Sequence, residues 1–262
     1  MTHGPEIALD LHFVAAVNDD AVLANNLVRS PIISGGGASL SCYRGAACAS
    51  KAYNQGLDDC SADIVVFAHQ DVFLPDGWEK NLHRAVSAIE REDPDWGVIG
   101  AWGVGQSGEY VGHAWSSGLS QRLGGPFDHP IEAKCIDEFV IILRCASGLK
   151  FDEGLPHFHF YAADIVLTAR AAGMKVYVAD IPVIHNSRPV QSYSGGYTDA
   201  WNYMRNKWSG TLPVRTMTTP LTRSILPILR GKWRIWRSLR RRLARATDPS
   251  IDPRELVRHL DS

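Results

Sequence analysis

The segment spanning residues 61–78, SADIVVFAHQDVFLPDGW, constrains the fold more than any other part of the chain. Ile64, Val65, Val66, Phe67 and Ala68 form an unbroken apolar run, the pattern of a strand covered on both faces in a parallel sheet. The run stops at His69, Gln70 and Asp71, and Val72, Phe73 and Leu74 are apolar again. Open α/β sheets bind ligands at the carboxyl ends of their strands. An imidazole and a carboxylate one residue apart at such an end are therefore candidate metal ligands. A surface turn carrying two solvated polar residues is the alternative, and the immediate return to apolar residues argues against it.

Alternating elements surround this segment. Residues 11–17 read as a first strand ending at Asn18, Asp19 and Asp20, which cap a helix running to Arg29. Residues 34–37 (SGGG) read as a loop, 38–43 as a strand and 45–57 as a helix. Asp76 is placed to cap a helix through Glu92, with Trp78, Leu82, Ala85, Val86 and Ile89 as its apolar stripe. Further strands are expected at 98–102, 139–143, 175–179 and 181–184, the last ending at His185. A helix over 161–172 closes on Gly173. Between 103 and 130 glycines recur among Tyr110, His113 and Trp115, which reads as a long functional loop. The fold class is α/β, a mixed and mainly parallel sheet flanked by helices.

Composition bounds the rest. A chain of 262 residues, 45% hydrophobic, supports one large domain with an appendage, here divided as 1–210 and a C-terminal helical extension, 211–262. A net charge of −1 gives no case for nucleic acid. Five cysteines without a C-x-x-C pair argue against a disulfide framework or a structural zinc site and point to reduced thiols in the cytoplasm. The first residues show neither the basic nor the apolar region of a signal peptide. Residues 230–245 carry eight basic side chains, with Trp233, Trp236, Leu239 and Leu243 at helical spacing. Such a helix suits an anionic membrane surface at the inner face of the cell membrane. The alternative is a solvated helix that packs its Trp/Leu stripe on the domain. Residues 248–262 read as a short exposed helix or a disordered tail.

Polar clusters fall where elements begin or end: His69 with Asp71; Asp137 with Glu138; Asp164 near His157, His159 and Tyr161; Asn18 with Asp19; and His185. A carboxylate with one or two imidazoles suits Mn²⁺ or Mg²⁺ shared with a diphosphate, and a further carboxylate nearby could take a proton as general base. Each also has a plain structural reading, such as a capping carboxylate for Asp164. No phosphate-binding G-x-x-x-x-G-K-[ST] loop and no G-x-S-x-G elbow is present.

In this order and spacing, the segments 52–72, 74–82, 151–173 and 176–187 resemble bacterial glycosyltransferases of the GT-A (Rossmann-like) fold. They fit the inverting family 2 class, and within it small domains with His-Gln-Asp in place of Asp-x-Asp. The resemblance implies transfer of a sugar from a nucleotide-diphosphate sugar to an acceptor hydroxyl, in bacterial glycan or glycoconjugate synthesis. It places Ala15, Val17, Asn18, Asp19, Asn54, His69, Gln70 and Asp71 on the donor side, and Asp71, His69 and His185 at a divalent metal. It places His113, Trp115, His159 and Tyr161 on the acceptor side, the acceptor being a glycan, a lipid-linked species or a small molecule. The customary base position falls on Ala162, so Asp164 is the expected base, with Asp137 or Glu138 as substitutes. A non-catalytic nucleotide-sugar-binding or scaffold domain is the alternative reading that Ala162 sustains.

Overall fold

A computed structural model describes residues 9–260. The signal-peptide reading rests largely on residues 1–8 and lies outside that range. The first half runs β1 (Leu11–Val17), α1 (Asp20–Asn25), α2 (Pro31–Ser34), β2 (Ser39–Arg44), α3 (Ala49–Asp58), β3 (Ile64–Ala68), β4 (Val72–Phe73) and α4 (Trp78–Glu90). There follow β5 (Val98–Gly100), β6 (Trp102–Gly105), β7 (Tyr110–Ser116), β8 (Gln121–Gly124), β9 (Ile131–Ile136) and β10 (Val140–Arg144). The chain ends with α5 (Tyr161–Ala171), β11 (Val176–Val178), β12 (Val183–His185), α6 (Tyr197–Lys207), α7 (Leu226–Arg245) and α8 (Pro253–Leu256).

The strands form one mixed sheet in the order β2-β1-β3-β10-β5-β11-β9-β6-β7-β12-β4, with β8 on β7. Parallel pairing joins β1 to β2 and β3, β5 to β11, and β7 to β12; the other seven described pairs are antiparallel, so the sheet is mixed as expected but not mainly parallel. Every residue of β3 is buried, as its apolar run requires. Two pairings position the site. Antiparallel β10 sets Val140 opposite Ala68, so the start of β10 meets the end of β3. Antiparallel β12 sets His185 opposite Val72, which brings His185 beside Asp71.

Several expectations change. Residues 103–130 are not a long loop: β6, β7 and β8 form an antiparallel meander there. Its glycines allow close backbone approach, a known role of glycine in strands; a Cβ on Gly112 would stand 2.3 Å from the Ala101 carbonyl oxygen. β9 and α6 were not anticipated. The helix expected to reach Arg29 breaks after Asn25 into a 3₁₀ turn, although Asp19 does cap its start through the N–H groups of Ala21 and Val22. Gly77, at φ +75°, caps α4 in place of Asp76, and the α4 stripe is buried as expected. Gly56 lets α3 lie against β1, since a Cβ would sit 2.6 Å from the Val14 methyls.

Two C-terminal readings also change. Residues 248–260 are more than a short exposed helix: Leu256 and Leu260 are buried against Phe73, Trp115 and Ile184, while Arg254, Glu255 and Arg258 stay exposed. Arg29 pairs with Asp252 at 2.9 Å, and Asn186 donates to the carbonyls of Pro249 and Ile251. On α7 the residues that pack inward are Ile228 and Ile235, while Trp233, Trp236 and Leu243 are exposed.

Candidate active site

The ends of β3 and β12 assemble a compact triad. Ligand-type atoms of His69, Asp71 and His185 all lie within 4.8 Å of one another. Asp71 Oδ1 is 3.5 Å from His185 Nε2 and 3.9 Å from His69 Nδ1. Burial alone would raise the Asp71 carboxyl, but the two imidazoles, His185 foremost, bring it down to about 2. Burial works to lower His185, and the Asp71 carboxylate more than offsets it, so His185 is raised. His69 is lowered, chiefly by burial. One ionised carboxylate beside imidazoles of opposite tendency is a donor set that fits a divalent cation. Two nitrogens favour Mn²⁺ over Mg²⁺, which prefers oxygen ligands.

Backbone and side-chain bonds hold the triad in place. His69 Nε2 meets the Tyr161 hydroxyl at 2.5 Å, and the His69 N–H donates to the Phe139 carbonyl. The Asn186 N–H donates to the Asp71 carbonyl at 2.8 Å. Phe139 packs on the His185 ring with centroids 5.0 Å apart.

Three clefts open around these residues. A cleft of 580 Å³ lies over the carboxyl ends of β1 and β3, lined by Val17, Asn18, Tyr43, Arg44, Gln70 and Asp71 among others. Gln70 ties the two strands together: its Oε1 accepts from the N–H groups of Asn18 and Asp19, and its Nε2 donates to Asn18 Oδ1. Arg44 crosses to Asp20 at 2.6 Å. Three expected donor-side residues do not line it. Ala15 is fully buried in the core, and Asn54 is buried and bonds both backbone groups of Phe151. Asp19 spends its carboxylate on the α1 cap.

The second cleft, of 690 Å³, meets His69 and His185 from the other side and holds Asp137, Glu138, His159 and Ala162. Burial, then the neighbouring Asp137, pushes the Glu138 carboxyl up to about 8, against the pull of the Phe160, Ala162 and Tyr161 amides at the start of α5. Asp137 Oδ1 accepts from the N–H groups of Glu138 and Phe139 and so shapes this turn. Asp164 is a different case. It is 2% exposed, accepts from Lys207 Nζ and from Trp208 Nε1 at 2.7 Å, and lines none of these clefts. Its carboxylate ties α5 to the end of α6, away from the clefts where a base would act. Of the acceptor-side candidates, His159 lines the second cleft and Tyr161 the first. His113 is instead bound to Asp180 and the Leu260 carbonyl, and Trp115 stacks on His259 with centroids 4.2 Å apart. Both hold the C-terminal tail on the sheet.

A sequence model described as a "Glycosyltransferase like family" matches residues 13–207 of the chain. The protein belongs to this glycosyltransferase-like family. Among curated proteins, a Fuscovulum blasticum protein described as "ATP synthase subunits region ORF 6" is 27% identical over 147 residues, 53% of this chain and 57% of that protein. The chain thus spans little more than half of this relative's length. Among solved structures, GalNAc-T7 with UDP, GalNAc and Mn²⁺ is similar at a TM-score of 0.50 and 12% identity, covering 90% of this chain and 56% of that one. A Pyrobaculum calidifontis mannosyltransferase, solved with GDP-Man and Mn²⁺, is similar at a TM-score of 0.46 and 10% identity, over 90% and 72% of the two chains. The likeness is one of fold, and the fold is GT-A.

In this glycosyltransferase-like chain, sequence reasoning missed Tyr43, Arg44, Tyr53 and Phe158, all of which line the first cleft. Tyr43 and Arg44 end β2, which pairs in parallel with β1, so they share the strand-end logic that exposed His69 and Asp71. Phe158 lies between two residues at positive φ, His157 and Phe160, a backbone state uncommon outside glycine. Nothing in local sequence signals it.

Proposed function

We propose that this protein is a metal-dependent glycosyltransferase that moves a sugar from a nucleotide-diphosphate donor to an acceptor hydroxyl, with inversion, in bacterial glycan or glycoconjugate synthesis. The His69–Asp71–His185 triad between the clefts carries this reading. Family membership supports it, as does the likeness in fold to a protein solved with UDP and Mn²⁺. Asp71, His185 and His69 would hold the cation, which when bound neutralises the charge of the departing nucleoside diphosphate. Asn18, Tyr43 and Arg44 line the cleft assigned to the nucleotide, and Gln70 positions Asn18.

Glu138 is assigned as the base. Its carboxyl stands against the first turn of α5 and shares a cleft with Ala162, the position where the resemblance places that role. The proton of the acceptor hydroxyl passes to Glu138, the acceptor oxygen bonds to the anomeric carbon, and the bond to the diphosphate oxygen breaks. A single displacement of this kind inverts the centre. Ala162 alone favours a binding domain without catalysis; a carboxyl beside it favours the enzyme. No helix among the described residues is long and apolar enough to cross a membrane. The exposed Leu226, Leu229, Trp233 and Trp236 on acid-free α7 support docking on an anionic bilayer.

Thermal stabilisation by nucleoside diphosphates and nucleotide sugars, with and without Mn²⁺, tests the reading. One nucleotide should stabilise the wild type only with the metal, and Asp71→Ala should abolish the shift. No shift with any nucleotide would overturn it.

A further inference from the structure

The third cleft, of 660 Å³, runs outward from His185 and Asp137 to α7, and its outer part takes no part in the assignments above. Its outer wall carries Arg188, Arg230, Arg234 and Arg242. Asp137, at the inner end, is the one carboxylate among the described lining residues. None of the four arginines has an ion-pair partner among the described residues. Arg242, only partly exposed, is held by Ser238 Oγ at 3.0 Å and by the Val190 carbonyl at 3.4 Å. Trp102 and Tyr110 also line the cleft, stacked with centroids 5.8 Å apart and an interplanar angle of 8°, and the Arg215 guanidinium lies over the Tyr110 ring at 5.5 Å.

Most exposed ion pairs add little to stability, so solvated arginines alone would be unremarkable. Here they converge from two separate segments on one concavity, with no acid interleaved to neutralise them. Such a wall raises the local concentration of anions. Guanidinium groups match phosphate oxygens through paired N–H donors.

We propose that this cleft is the acceptor site and that the acceptor is a phosphorylated saccharide, its phosphate on Arg230 and Arg234, one helical turn apart on α7, and its reacting hydroxyl toward Glu138 and the triad. The proposal rests on the glycosyltransferase reading. The phosphate is a fixed handle and takes no part in bond exchange. It belongs either to a soluble sugar phosphate or to a sugar linked through phosphate to a lipid.

The test compares transfer from the donor that the thermal panel identifies onto four acceptors: a neutral monosaccharide, its uronic acid, its 1-phosphate, and the same sugar on a polyprenyl phosphate in detergent micelles. The expected result is a kcat/KM at least roughly tenfold higher for the phosphorylated acceptors than for the neutral one. Arg230→Gln/Arg234→Gln should lower that value by roughly 30- to 100-fold. Lys80→Gln/Arg91→Gln, which removes the same charge from exposed positions on α4 and just after its C-terminus, should not change it. Similar values for the 1-phosphate and the polyprenyl form indicate a soluble source, and a preference for the polyprenyl form indicates a lipid-linked one; both uphold the proposal. Equal values for neutral and phosphorylated acceptors, equal stimulation by the uronic acid, or an unchanged phosphate preference in the double variant would overturn it. In each of those cases Mn²⁺-dependent donor binding would persist. Its absence would instead remove the glycosyltransferase reading itself.

Discussion

Replacing Glu138 by Gln should stabilise the protein while disabling it. A free glutamate titrates near 4.5, and Glu138 is pushed up to about 8 by burial first and by Asp137 second. Between those pH values the unfolded chain has released a proton that the folded chain still binds. Stability therefore falls as pH rises through the window, and below it the group contributes nothing. At about 1.4 kcal/mol per unit, the interval corresponds to a ceiling on the order of 5 kcal/mol above pH 8. Glu138 borders an open cleft, so solvent screening reduces the expected effect to about 1–3 kcal/mol.

The carboxamide has nearly the shape of the carboxyl and carries no charge. In EDTA, Glu138→Gln should match wild type near pH 5 and exceed its melting temperature by about 3–8 °C at pH 8.5. The same variant should keep Mn²⁺-dependent nucleotide binding and lose roughly 10²- to 10⁴-fold in turnover. Gaining stability while losing activity distinguishes a base from a structural residue, whose removal costs both. Parallel melting curves across pH 5 to 8.5, or turnover at the wild-type level, would refute the argument.

Asp164→Asn breaks a buried bridge to Lys207 and should cost about 2–4 kcal/mol in denaturant unfolding; a loss of turnover with full stability would return Asp164 to the chemistry. Leu256→Ala empties the contact between the tail and Trp115 and should cost about 2–4 kcal/mol, read as a lower urea midpoint. Trp233→Ser/Trp236→Ser should reduce co-sedimentation with vesicles containing anionic lipid by at least roughly tenfold while leaving the melting temperature unchanged. Equal sedimentation of variant and wild type, or none by wild type, would count against the bilayer role.

The sequence by itself determined the elements whose signal is local. The apolar run of β3, the helical stripe of α4 and the polar stops at Asn18, Asp71 and His185 follow from side-chain periodicity within a few residues. Long-range packing decided what those signals leave open. Asp137, Glu138 and Asp164 are equivalent in sequence, each a carboxylate beside an element boundary. Their fates diverge because the β3–β10 pairing turns Glu138 toward a cleft, whereas α6 delivers Lys207 and Trp208 to Asp164. His185 becomes a partner of Asp71 only through the β12–β4 pairing. The glycine-rich meander and the buried tail were illegible for the same reason. A glycine required by a neighbouring strand looks like a loop glycine until the strand is in place, and Leu256 and Leu260 look like a loose end until Trp115 and Ile184 cover them.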